Sequence, residues 1–257
     1  MLGAILGDVV GSVHEFRGTK TKAFPLFVPH STYTDDSVLT VAVADWILSG
    51  EDLSELLASY TRRFPGRGYG GMFAQWAGGR DRQPYHSYGN GSAMRVSPVG
   101  FACASLEDVL DWAERSAAVT HNHPEGIRGA QATAVAIFLA RHGADKAQIR
   151  QAIEARFGYD LSRSLDDIRP GYAFTELCRQ TVPPALVAFL ESTDYEDAIR
   201  NAISLGGDAD TLACITGGIA EAYYGGVPEP LAAHGRALLD ARLLEVVDRF
   251  RERFSLP

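Results

Sequence analysis

The sequence is poor in cysteine and contains no long hydrophobic run. Its 257 residues include three cysteines, which are far apart and follow no metal-binding spacing. Cys103 and Cys214 lie in apolar runs, so we expect buried free thiols and a reducing, cytoplasmic environment. No apolar run is long enough to span a membrane, and the short apolar segment before Asp8 has no basic region ahead of it. We therefore expect neither a membrane protein nor a signal peptide.

Positive charge is also scarce. Lysine occurs only at positions 20, 22 and 146, and the formal net charge is −8. Nucleic-acid-binding domains usually carry a basic face, so this composition argues against a nucleic-acid partner.

Alternating strand patterns are absent, whereas apolar residues recur at helical spacing along most of the chain. The loops between the helical segments are too short to separate domains. A chain of this length can bury a full core without disulfides. We predict one all-α domain of about ten helices over residues 1–257. The clearest predicted helices cover residues 37–48, 52–64, 106–118, 127–141, 146–157, 194–205 and 212–224.

The first predicted helix, Met1–Phe16, carries a stripe of glycines. Gly3, Gly7 and Gly11 recur every fourth residue and therefore share one helix face. Because glycine destabilises a helix, the stripe predicts close packing against another backbone. Asp8 lies within this apolar segment and needs a partner if it is buried.

Two acidic motifs open helices in distant parts of the chain. Thr34-Asp35-Asp36-Ser37 is one, and Gly206-Gly207-Asp208-Ala209-Asp210-Thr211 is the other. If they meet, four carboxylates share one pocket, and such oxygen-only ligand sets select Mg²⁺, Mn²⁺ or Ca²⁺ rather than Zn²⁺. The alternative is that each motif is only a helix N-cap, since Asp and Thr are favoured there.

A third motif, Ser87-Tyr88-Gly89-Asn90-Gly91, precedes a predicted helix. Its backbone N–H groups at a helix N-terminus predict a phosphate site, and a plain turn is the alternative. Arg95 follows, either as a salt-bridge arginine or as a ligand contact. His121 and His123 lie in a loop before another helix, without the further His or Cys ligands that a Zn²⁺ site needs.

Taken together and in this order, the motifs around Gly7-Asp8 with Glu15, Thr34–Ser37, Ser87–Arg95, Thr120-His121 and Gly207–Thr211 resemble the ADP-ribosylglycohydrolases. The resemblance covers residues 1 to about 226, with Ser37 and Ala209 standing where Thr is common. It implies a single compact, orthogonal all-α domain with a binuclear metal centre that holds two Mg²⁺ or Mn²⁺ ions. By motif position, the implied metal ligands are Thr34, Asp35, Asp36, Asp208, Asp210 and Thr211. The implied substrate-binding residues are Ser87, Tyr88, Gly89, Asn90, Gly91 and His121.

The resemblance further implies hydrolysis of the C1″ glycosidic bond of an ADP-ribosylated protein or a small ADP-ribose conjugate. Glu15 is the expected acid–base or gating residue, and Asp36 is the second candidate for proton transfer. The resemblance does not identify the linkage that is cleaved. It also does not identify the aromatic residue that stacks on adenine, for which the candidates are Phe73, Tyr85, Tyr88 and Tyr172. We expect the loops Arg17–Thr32 and Gly66–His86 to select the substrate.

Two other functions compete with this one. The first alternative is a non-catalytic ADP-ribose-binding or structural protein of the same fold. The second alternative is a dinuclear-metal phosphoesterase acting on a small nucleotide. A monomer is the default expectation.

Overall fold

Helices make up the regular secondary structure of the computed structural model, which describes residues 1–256. Within that range the chain forms fifteen helices, and its β-type pairing is a single isolated bridge between Gly89 and Leu177. The expected all-α domain is therefore confirmed. In chain order the helices are α1 (Leu2–Gly11), α2 (Asp35–Ser49), α3 (Leu53–Arg63), α4 (Gly71–Gly78), α5 (Gly91–Met94), α6 (Ser97–Ala102), α7 (Leu106–Ala118), α8 (Pro124–Arg141), α9 (Lys146–Phe157), α10 (Leu165–Ile168), α11 (Cys178–Leu190), α12 (Tyr195–Ile203), α13 (Ala209–Tyr224), α14 (Glu229–Leu238) and α15 (Ala241–Arg253).

Local sequence sets many of the helix ends. The Asp52 side chain accepts a hydrogen bond from the Glu55 amide at the start of α3. Asp145 and Gln148 form a reciprocal capping box at the start of α9. Gly50 and Gly158 end α2 and α9 in the left-handed conformation that glycine adopts without strain.

The glycine stripe of α1 packs directly against α13. A Cβ atom on Gly3, Gly7 or Gly11 would lie 2.5, 2.0 or 2.4 Å from backbone atoms of Gly217, Ala213 or Asp210. These partners run backwards along α13 as the stripe runs forwards, so the two helices are antiparallel. The predicted close packing is confirmed, and it brings the start of α13 beside the end of α1.

Helix α13 forms the centre of the domain. Every residue from Ala209 to Glu221 is buried, and α8, α11 and α12 pack around it in addition to α1. Helix α2 contacts α1, α3, α6 and α15. The two acidic motifs therefore sit at the N-termini of two buried helices rather than on mobile surface loops.

The first helix is shorter than predicted. It ends at Gly11, where the Ser12 hydroxyl donates back to the Val9 carbonyl and residues 12–18 form turns. Asp8 is thus helical and Glu15 is not, although the predicted helix Met1–Phe16 included both.

The helix count also exceeds the prediction because several helices are short or lie in segments that we expected to be irregular. Helix α4 lies within the predicted loop Gly66–His86, and α10 has only four residues. Helix α11 begins at Cys178 and continues through Pro183 and Pro184, although proline favours a helix start.

The expected burial of the free thiols is confirmed. Cys103, Cys178 and Cys214 are all buried free thiols. None of the helices within residues 1–256 combines the length and the hydropathy needed to cross a membrane.

Candidate active site

The N-termini of α2 and α13 meet at the bottom of a cavity of about 380 Å³. The Thr211 hydroxyl lies 3.4 Å from Asp36 Oδ2, which joins motifs 175 residues apart in sequence. Side-chain oxygen atoms of Glu15, Asp208 and Asp210 lie within 4.8 Å of one another. The structure therefore brings both acidic motifs and Glu15 to one point.

Asp8 connects α1 to this point. Its buried carboxylate accepts hydrogen bonds from the amide and hydroxyl of Thr34, at 2.9 and 2.7 Å, and from the amide of Ser37 at 3.1 Å. The Ser37 hydroxyl donates a further hydrogen bond to it. Asp8 thus finds the partners that a buried carboxylate needs, and it holds the first turn of α2 in place.

The helix-cap explanation fits one motif and not the other. Thr34 is the N-cap of α2, and its hydroxyl accepts from the Asp36 amide. Asp208 occupies the N-cap position of α13, but its side chain forms no cap hydrogen bond. Instead, Asp208 Oδ2 accepts a 2.7 Å hydrogen bond from the side-chain amide of Asn90. The Asp208 carboxylate is therefore held beside the cavity by a residue of the third motif.

The turn before Asp208 requires both of its glycines. Gly206 and Gly207 have φ angles of +65° and +109°, which other residues rarely adopt. A Cβ atom on Gly207 would also lie 2.9 Å from the Tyr172 ring. The two glycines therefore form a tight turn directly ahead of the carboxylates.

Burial raises the pKa of the carboxyl groups of Glu15, Asp35, Asp36, Asp208 and Asp210, and repulsion from neighbouring acids raises it further in all of these except Asp208. Burial, with Asp8 next in effect, raises the pKa of Asp35 to about 8. Burial and then Asp208 raise the pKa of Glu15 to about 7. The pKa values of Asp36 and Asp210 lie well above the ordinary range for the same reasons. Arg95 is the only lysine or arginine among the cavity-lining residues, so the cluster lacks nearby counter-charge.

The donor set fits a hard divalent cation. Asp36 Oδ1 is buried and has no hydrogen-bond partner within residues 1–256, although a buried carboxylate oxygen is normally paired. The neighbouring donors are carboxylate and hydroxyl oxygens, which suit Mg²⁺ or Mn²⁺. An ion at this point would satisfy Asp36 and offset the repulsion among the acids.

Not every predicted site residue lines the cavity. Thr34 lies just behind it, with its hydroxyl bonded to Asp8. Tyr88 is 52% exposed and is not among the residues that line the cavity. The other predicted residues line the cavity, namely Glu15, Asp35, Asp36, Ser87, Gly89, Asn90, Gly91, His121, Asp208, Asp210 and Thr211.

Some of the amides in the segment Ser87–Gly91 are hydrogen-bonded within the protein. The Asn90 amide donates to the Glu176 carbonyl at 2.7 Å, and the Gly89 amide donates to the Ser87 hydroxyl at 3.2 Å. Helix α5, which follows, has only four residues. Gly89 and Gly91 both line the cavity, and the His121 ring lies close to Gly91, where a Cβ atom would be 3.1 Å from His121 Nε2.

Arg95 forms no salt bridge among the described residues, contrary to one of the two roles expected for it. It is fully buried, and its Nη2 atom donates to the Ser116 carbonyl and the Thr120 hydroxyl, each at 2.8 Å. The candidate aromatics are also separated: Phe73 and Tyr85 line the cavity, whereas Tyr172 lies against Gly207.

Sequence reasoning missed several residues that build the site. Glu176, Gly68 and Gly70 line the cavity from two loops, and Met72 lines it from the first turn of α4. The run of glycines from Gly66 to Gly71 was a signal for close approach, and a Cβ atom on Gly68 would lie 3.3 Å from Asp35 Oδ1. No local pattern marks Glu176, because its position depends on packing alone.

Nearly the whole chain is similar to known proteins in sequence and in structure. A model of the ADP-ribosylglycohydrolase family matches residues 1–256. A solved structure described as an ADP-ribosylglycohydrolase-related protein complex has 28% sequence identity and a TM-score of 0.65, and the match covers 92% of this chain and 95% of that one.

Curated relatives come from animals and bacteria. ADP-ribosylhydrolase ARH3 of Mus musculus is 29% identical over 307 residues, which cover 88% of this chain and 82% of the relative. ADP-ribosylarginine hydrolase Tri1 of Pseudomonas putida is 27% identical over 272 residues, which cover 88% of this chain and 69% of the relative.

Proposed function

Because this chain belongs to the ADP-ribosylglycohydrolase family, we propose that it releases ADP-ribose by hydrolysing the C1″ glycosidic bond of an ADP-ribose conjugate. The observation that carries the proposal is the carboxylate cluster at the N-termini of α2 and α13, which opens into a cavity large enough for a small ligand. ADP-ribosylated protein side chains and small ADP-ribose conjugates are the proposed substrates.

The proposed ligands of two Mg²⁺ or Mn²⁺ ions are Thr34, Asp35, Asp36, Asp208, Asp210 and Thr211. When bound, the ions supply positive charge that orients ribose hydroxyls and lowers the pKa of water. The orphaned Asp36 Oδ1 and the absence of a lining cation other than Arg95 support this assignment.

Glu15 is the proposed acid–base residue. It lies on a turn, is only partly buried, and its carboxylate is within 4.8 Å of the ligand atoms of Asp208 and Asp210. A carboxyl pKa of about 7 lets one group both donate and accept a proton near neutral pH. Glycosidic cleavage needs such a proton donor and acceptor, because the leaving group is protonated while water attacks an oxocarbenium-like centre. Asp36 is fully enclosed and better placed to bind a cation than to exchange protons.

Exposed apolar side chains lie around the rim of the cavity, which favours a substrate that extends beyond the cavity. The large apolar side chains exposed within residues 1–256 are Phe16, Met72, Tyr88 and Phe174. Met72 lines the cavity, and each of the others is within two residues of a lining residue. Phe16 and Phe174 stack with ring centroids 5.6 Å apart, next to Glu15 and near Glu176. These side chains are the proposed contacts for the acceptor and for the adenine, with Tyr88 on the side of Ser87–Gly91.

The test is a panel of defined ADP-ribosylated substrates incubated with Mg²⁺, with products identified by mass spectrometry. We expect free ADP-ribose from at least one substrate, and loss of product when a chelator is added. Release of phosphate or AMP instead would establish the phosphoesterase, and ADP-ribose binding without turnover would establish a non-catalytic protein.

Paired variants separate the metal site from nonspecific effects. Asp208→Asn combined with Asp210→Asn should abolish Mg²⁺ or Mn²⁺ binding in calorimetry and abolish turnover. Asp111→Asn removes an exposed carboxylate in α7 and should change neither. Stoichiometric metal binding by the double variant would refute the proposed ligands.

A further inference from the structure

A chain of buried hydrogen bonds leads from Arg95 to the cavity. Arg95 Nη2 donates to Thr120 Oγ1 at 2.8 Å, and the same oxygen lies 2.7 Å from His121 Nδ1. Arg95 and Thr120 are fully buried, and His121 is 5% exposed. Arg95 and His121, the two ends of this series of hydrogen bonds, both line the cavity.

The hydrogen-bonding capacity of the Thr120 hydroxyl determines whether it donates to His121 Nδ1 or accepts from it. A threonine hydroxyl has one hydrogen and two lone pairs, and Arg95 occupies one lone pair. Within residues 1–256 the hydroxyl has no partner other than Arg95 and His121. If Nδ1 carried the imidazole hydrogen, the hydroxyl hydrogen would be buried without an acceptor, which disfavours that tautomer by roughly tenfold or more. Thr120 therefore donates to Nδ1, and the hydrogen of the ring resides on Nε2.

The Nε2 atom faces the glycines of the third motif. It lies 3.1 Å from the position that a Cβ atom of Gly91 would occupy, and 3.7 Å from the corresponding position at Gly89. It has no hydrogen-bond partner among the described residues, although the Nδ1 side of the ring is fully engaged. The free N–H group is therefore directed at the part of the cavity formed by Ser87–Gly91.

We propose that Arg95 and Thr120 are positioning residues that hold His121 in the Nε2–H tautomer, so that it presents a neutral, fixed donor to an oxygen of the ADP-ribose diphosphate. The identity of the acceptor oxygen rests on the proposed function, whereas the tautomer rests on the hydrogen-bond chain alone.

The surroundings favour the neutral ring. Burial, and then the positive charge of Arg95, place the pKa of His121 well below its ordinary value. Arg95 has no carboxylate partner among the described residues, and its Nε and Nη1 atoms are unpaired. Its charge is thus not cancelled locally, which adds attraction for an anion in the cavity.

The decisive measurement is the tautomer of His121 in the protein without ligand. Long-range ¹H–¹⁵N spectra of histidine-labelled protein distinguish a protonated Nε2 from a protonated Nδ1, and His121→Gln identifies the signal among the seven histidines. We expect a single Nε2–H form. A predominant Nδ1–H form, or an even mixture, would overturn the proposal, and this measurement needs no variant of Thr120.

Substitutions at Thr120 then test the link to binding. Thr120→Val should mix the tautomers and weaken ADP-ribose affinity about tenfold, whereas Thr120→Ser should restore both. Thr133→Val is the matched control, because the Thr133 hydroxyl is buried without a partner, and it should change neither signal. An unchanged tautomer and affinity in folded Thr120→Val would refute the positioning role. If the wild-type protein shows Nε2–H but does not bind ADP-ribose, the proposed function fails and the tautomer stands.

Discussion

At the scale of single residues, the degree of burial separates the carboxylates into two groups. Asp36 and Asp210 are almost completely enclosed, so ionising them requires a cation nearby. Glu15 lies on a turn with part of its side chain in solvent, and can exchange protons with water. Carboxyl groups in one cluster are therefore suited to different roles, because desolvation differs over a few ångströms.

Glu15→Gln should separate proton transfer from metal binding. The substitution keeps the size of the side chain and removes the titrating group, so we expect kcat to fall by about 10²- to 10⁴-fold. Metal affinity in calorimetry should change little. Near wild-type turnover with metals bound would exclude Glu15 as the acid–base residue.

At the scale of elements, the contact between α1 and α13 aligns the site. The glycine stripe lets the helices approach closely, which places Asp8 beside the first turn of α2 and Glu15 beside Asp208 and Asp210. A larger residue in the stripe would separate the helices that carry these groups.

Gly7→Ala should therefore destabilise the fold and weaken the site. The added Cβ atom would lie 2.0 Å from the Ala213 carbonyl oxygen, and overpacking of this kind typically costs about 1–3 kcal/mol. Thermal unfolding and Mg²⁺ calorimetry should both show the loss. Gly78→Ala is the control, since a Cβ atom there meets nothing within 4 Å, and in a helix it should be neutral or stabilising by about 0.5–1 kcal/mol. Equal stability of the two variants would contradict the packing argument.

At the scale of the whole molecule, the acidic cluster opposes folding unless its charge is compensated. The formal net charge is already −8, and the cluster concentrates carboxylates at the N-termini of two central helices. Protonation compensates the charge at low pH, and a bound cation would do so at neutral pH.

The metal-free protein should lose stability as the pH rises from 5 to 8. The folded-state pKa values of Glu15 and Asp35, about 7 and about 8, exceed their ordinary values. The folded protein therefore binds more protons than the unfolded chain in this range, and the free energy of unfolding falls as the pH rises. The stabilising effect is fully present below about pH 4 and is lost through the folded pKa values.

Thermal unfolding with chelator and with Mg²⁺ measures this effect. We expect the midpoint to fall with pH in chelator and to fall less in Mg²⁺, since bound ions stabilise the ionised form. The Asp208→Asn, Asp210→Asn double variant should show a shallower dependence without metal. A midpoint that rises towards pH 8 in chelator would contradict the expected sign.

Much of the fold followed from local sequence, whereas Glu15 and His121 were assigned to the site by the family resemblance. Caps such as Asp52 and Asp145, the stripe Gly3–Gly11 and the glycine turn before Asp208 depend on short-range geometry, which a few neighbouring residues determine. Helix α4, the early end of α1 and the start of α11 were missed, because contacts from elsewhere in the chain outweigh local preference there.

The sequence by itself determined that the protein is helical, that α1 packs closely on another helix, and which carboxylates lie next to one another in each motif. Only the tertiary structure decided that Asp36 meets Thr211, that Asn90 holds Asp208, and that Arg95 reaches His121 through Thr120. The physical reason is range. Helix periodicity and capping act over three or four residues, whereas these hydrogen bonds depend on how buried helices pack around α13.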